Sequence, residues 1–122
     1  MKQANVIKAI KTLDKIKTQP MQLRTSYNLY KLRQSLQPHW DWQVEQEMKI
    51  LEEKGVQTEN GLTITQEERA EFDSALLSII EIEVEKDWTP VKVSVSDGLT
   101  ISIEDIEALD GFVEIEIGDD NE

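Results

Sequence analysis

Cysteine is absent from the 122 residues. That excludes disulfides, thiolate metal sites and cysteine nucleophiles, and it leans toward a reducing, cytosolic setting. No apolar run approaches the ~20 residues of a membrane span, and no signal-like apolar block follows Met1. No phosphate-binding loop, dinucleotide fingerprint or Gly-x-Ser-x-Gly elbow occurs. A calcium loop centred on Gly98 would put Glu104 in the bidentate position. Its first two ligand positions are then Val93 and Val95, which cannot coordinate calcium. The sequence therefore implies no cofactor, no metal, no membrane and no small-molecule substrate.

What is present is charge, unevenly spread. Through Gln37, eight lysines and arginines face one acid, Asp14. From Gly55 onward Arg69, Lys86 and Lys92 face 19 of the 25 acids, within a net charge of −12. Such polarity can steer a partner or drive head-to-tail self-association. Alternatively the two halves fold against each other and neutralise.

Val6, Ala9, Ile10, Leu13 and Ile16 recur at helical spacing over 2–17, with Lys8, Lys11 and Lys15 on another face. That helix lacks lipid-anchoring aromatics, and no aromatic residues interleave its lysines as a single-strand nucleic-acid binder requires. After "TQP" a longer helix is predicted over 21–54, ended by "EKG". Its expected buried stripe contains Leu23, Tyr27, Leu29, Tyr30, Leu32 and Leu36, then Trp40, Val44, Met48 and Leu51. Pro38 removes a backbone donor and crowds the preceding turn, so a kink or break near Leu36–Gln37 is expected. Asn60-Gly61 signals a hairpin or extended tip. Thr65 and Glu68 are spaced as a capping box for a third helix with a stripe of Phe72, Ala75, Leu76, Ile79 and Ile80.

Alternation then replaces helical periodicity. "EIEVE" and "VKVSV" are separated by the short connector "KDWTP", which predicts an antiparallel hairpin with Lys92 on the glutamate face. Ser102 opens a short helix to about Leu109. "FVEIEI" is a third alternating run, and 118–122 a polar tail. The expected fold class is α+β in a single domain over 1–117. Two or three N-terminal helices, the second kinked near Pro38, pack with a small antiparallel sheet and a short helix in the acidic C-terminal part.

"PHWDW" holds the only histidine. On a helix His39 and Asp41 lie about 200° apart, so they cannot act as base and orienter. Trp40 reads as core, and His39 and Trp42 as flanks or contacts. The glutamate ladders read as a solvated sheet face that discourages edge association, not as paired catalytic acids. No enzyme is expected.

The succession "LRTSYNLYKLRQSLQP", then "EEKG…ENG…ITQEERAEFDSALLSIIEIEVE", then "SIEDIEALDGFVEIEI" resembles a family of small uncharacterised phage and prophage proteins, mostly from phages of Gram-positive bacteria. The likeness covers roughly 20–117 and rests on element order and a tyrosine- and leucine-bearing helix. "HWDW" and "DWTPVKV" depart from it. The resemblance implies a phage context, with the host cytoplasm or the virion as the setting, and carries no activity. The expected function is a non-enzymatic accessory or assembly factor that binds a protein partner or itself. Tyr27, Tyr30, His39, Trp42 and Trp88 are its candidate interface residues. The alternative is an acidic inhibitor that competes with nucleic acid for a host nucleic-acid-binding or defence enzyme. Direct nucleic-acid binding is not expected.

Overall fold

The computed structural model describes residues 1–94 and 98–116. Helix α1 (Gln3–Ile16) buries Val6, Ile7, Ala9, Ile10, Leu13 and Ile16 on one side and leaves its lysines in solvent. Three-and-four spacing stacks these side chains into a stripe, the centre of the core. Helix α2 (Leu23–Lys54) runs 32 residues, about 48 Å at 1.5 Å per residue. It continues through Pro38, so of the expected kink or break the break does not occur. Its buried residues are Thr25, Leu29, Leu32 and Leu36, all before the proline. The single buried stripe expected along the whole helix is therefore corrected: the core uses only its first half.

Strands β1 (Val56–Thr58) and β2 (Gly61–Thr63) form the expected antiparallel hairpin. Gly61 has φ +97°, and no other residue type takes a positive φ among the described residues. The turn is thus not one in which both central residues are left-handed; glycine alone supplies that conformation. Helix α3 (Arg69–Ile80) starts later than its sequence signal. The Thr65 hydroxyl accepts from the Glu68 N–H at 3.4 Å and caps a turn ahead of the helix, while Glu68 itself has no side-chain cap. Of the expected α3 stripe only Ile79 is buried; Phe72, Ala75, Leu76 and Ile80 are half-covered.

The C-terminal sheet differs from expectation. Strand β3 (Val91–Ser94) pairs in parallel with β4 (Val113–Glu116), and helix α4 (Ile103–Ala108) lies in the crossover. Parallel neighbours need a connection of about a dozen residues or more, which the chain between them supplies. The predicted antiparallel partner, the run around Ile82–Val84, instead fastens the chain start. Ile82 O accepts from Gln3 N–H at 2.8 Å, and Val84 N–H donates to Met1 O at 2.7 Å. Lys92 still meets glutamates, but those of β4, with Glu116 at 4.0 Å. Ser102 opens α4 as expected, and with Asp105 it forms a reciprocal capping box. The ends of two alternating runs, Val95 and Ile117, and the polar tail lie outside the described residues.

One core cluster joins α1, the first half of α2, Trp88, β3 and Leu109–Val113. The second half of α2, the β1–β2 hairpin and α3 add no buried residue to that cluster. They form an arm of two helices and a hairpin.

Candidate interaction surface

Trp88 is a core residue, 6% exposed, and not the surface anchor expected of it. Its ring stacks on Phe112 at 4.8 Å, and its indole N–H donates to Gly111 O at 3.0 Å. His39 meets the Trp88 ring edge-on at 6.0 Å, with Nε2 3.0 Å from an Asp87 carboxylate oxygen. Gln3 donates to the His39 carbonyl at 2.9 Å. His39 is thus a clasp between α2 and the segment before β3. Sequence reasoning weighed Asp41 as its partner, but Asp41 accepts from Gln37 at 2.8 Å on another side of the helix. Asp87 lies 48 residues from His39, and nothing local signals that pairing.

Tyr27, Tyr30 and Trp42 are surface side chains on α2. Tyr27 and Tyr30 lie 6.4 Å apart between ring centroids, and the Tyr30 oxygen accepts from Gln34 at 3.0 Å. They belong to a longer pattern that the sequence reading took for core. Leu23, Tyr27, Tyr30, Val44 and Met48 are 85, 57, 55, 44 and 45% exposed, and Leu51 is half-buried. With Gln34, Gln37 and Asp41 between them, these positions recur at alternating intervals of four and three. That spacing draws one seam along a helix, here well away from the face packed on the core. Scattered exposed apolar residues need no explanation, whereas two apolar stretches on one seam about 42 Å long, with a polar centre between them, outline a surface that a second helix could cover.

The basic start and acidic end of the chain touch at several points. Lys2 pairs with Glu81, the terminal amine with Glu83, and Lys15 with Asp105. The Lys15 hydrogen bond holds the Asp105 carboxyl below its ordinary range; burial opposes this, and the Ser102 cap adds to it. On the arm, a hydrogen bond to Glu71 raises the Lys54 ammonium. Arg24 and Lys31 make no ion pair among the described residues. With Asn28 and Lys92 they line an open groove of about 640 Å³ between α2 and β3.

Among the described residues no group of three His, Asp or Glu could hold a metal ion, and no helix is long and apolar enough to cross a membrane. No family model, curated protein or solved structure matches the chain.

Proposed function

We propose that this protein is a non-enzymatic interaction factor, of the accessory or assembly kind found in phages, acting in the host cytoplasm or the virion. The exposed seam of α2 carries the reading. It offers two tyrosines and the exposed side chains of Leu23, Val44 and Met48 at helix-pairing intervals, and aromatic residues are favoured interface anchors. The phage setting is drawn from the resemblance in element order alone.

The test replaces Tyr27, Val44 and Met48 together with serine and compares the variant with the wild-type protein by chemical cross-linking in the producing cell. The wild type gives cross-linked species that the variant lacks, while circular dichroism shows that both are folded. A wild type that yields no cross-linked species sinks the reading, and so does a variant that retains them.

The exposed carboxylates Glu45, Glu52, Glu53, Glu67 and Glu71 favour a second reading, an acidic inhibitor of a host nucleic-acid-binding or defence enzyme. Salt separates the two. Binding through charge mimicry collapses as ionic strength rises, whereas an interface centred on the seam weakens modestly.

A further inference from the structure

We propose that the partner covering α2 is a second copy of this chain, with the two α2 helices antiparallel in a symmetric dimer. This rests on the reading of α2 as an interaction surface and names its occupant. The seam of fours and threes is the pattern of helices that pair side by side along their length. Reversing one copy against the other brings apolar positions together at both ends of the seam. Tyr27 then meets Leu51 of the other copy, and Tyr30 meets Met48. Gln34 meets Val44, and Gln37 meets Asp41 beside the two-fold axis.

Charge selects both the orientation and the partner. Along one flank of the seam stand Arg24 and Lys31, then Glu45 and Glu52, each one residue after a seam position. All four are exposed. Arg24, Lys31 and Glu52 have no ion pair among the described residues, and Glu45 has only an exposed one with Lys49. In the antiparallel pair Arg24 faces Glu52 and Lys31 faces Glu45, each twice by symmetry. In a parallel pair the two copies of this flank lie on opposite sides of the seam, and neither opposite-charge pair forms. A uniformly basic or uniformly acidic partner would be repelled by one half of this flank. A chain that changes sign at the same place, in reverse, is attracted along all of it, and a reversed second copy is such a chain. The flank fixes the register: a shift of one heptad either way sets one of its charges against Pro38 and leaves only one kind of opposite-charge pair. The contact is isologous, so it closes at two copies and builds no filament.

The experiment is a charge swap read by light scattering after size exclusion, with circular dichroism to verify folding. At roughly 100 µM, well above the dissociation constant of a standard-size interface, the wild type runs as a dimer. Arg24→Glu/Lys31→Glu and Glu45→Lys/Glu52→Lys each run as monomers, with affinity lowered roughly a hundred-fold or more. Mixed in equal amounts, the two variants re-form a dimer, because every flanking pair is again of opposite sign. A monomeric wild type overturns the proposal, as does a dimer indifferent to both variants or a mixture that stays monomeric. If the wild type is a monomer yet the seam variant loses its cross-linked species in cells, the interaction reading stands and only the second copy is ruled out.

Discussion

Trp88 joins three parts of the molecule through one side chain. It stacks on Phe112, takes the edge contact of His39 and donates to Gly111 O. Trp88→Ala would empty that space and lower stability by about 3–5 kcal/mol, read from the denaturant midpoint. Trp88→Phe keeps the stack and loses the N–H bond, a penalty of about 1 kcal/mol. Equal losses from both variants would show that the stack contributes little. Asp105 gives a prediction in pH. Its carboxyl titrates below the ordinary value of 3.8, so the stability it contributes is present at neutral pH and lost as pH falls through that lowered value. Asp105→Asn is therefore the less stable protein at pH 7, and its difference in urea midpoint from wild type closes as pH falls below the ordinary value of 3.8. A difference that persists at low pH would assign the effect to the lost helix cap alone. The sequence made the Ser102–Asp105 cap legible, because its partners sit three residues apart. It hid Trp88's place in the core and the His39–Asp87 pair, because both depend on residues brought together from far along the chain.

Pro38 is where local chemistry and the observed element disagree. Its ring removes the bond that residue 38 would donate to the Gln34 carbonyl, yet α2 continues. Leu36 is fully buried just before the proline, and Trp40 packs on the core cluster just after it. These anchors hold the helix on both sides. Pro38→Ala restores the missing donor and should stabilise the protein by roughly 1–3 kcal/mol, measured by thermal or denaturant unfolding. A loss of stability would mean that the ring itself packs. The same contest between local signal and distant packing explains the sheet. Alternation in "EIEVE" and "VKVSV" told which side chains share a face, but it cannot name a strand's neighbour. The backbone after Ile82 met Met1 and Gln3, and Trp88 drew the start of β3 to Phe112, whose carbonyl accepts from Val91 N–H at 3.0 Å. Helices α1 and α2 and the β1–β2 hairpin were legible because their bonds are local. The α2 stripe misled because helical spacing identifies a face without saying whether this chain or another covers it.

At the scale of the whole molecule the core is one-sided. The long helix buries residues only in its first half, and the arm built on its second half leaves Val44, Met48 and Leu77 substantially exposed. A two-helix layer with no third layer across it has little apolar area to bury, so its share of stability is small in the isolated chain. Covering the α2 seam with a second copy would add that missing layer and tie folding to association. Stability then depends on protein concentration. Raising the concentration from near the dissociation constant to about a hundred times above it should add up to roughly 2.7 kcal/mol, a shift of several degrees in the midpoint. The Glu45→Lys/Glu52→Lys variant should show a lower midpoint that does not move with concentration. Differential scanning calorimetry on both proteins over that range distinguishes the cases. A concentration-independent midpoint in a wild type that remains dimeric would mean that the arm is stable without its partner, and that the seam serves association without supporting the fold.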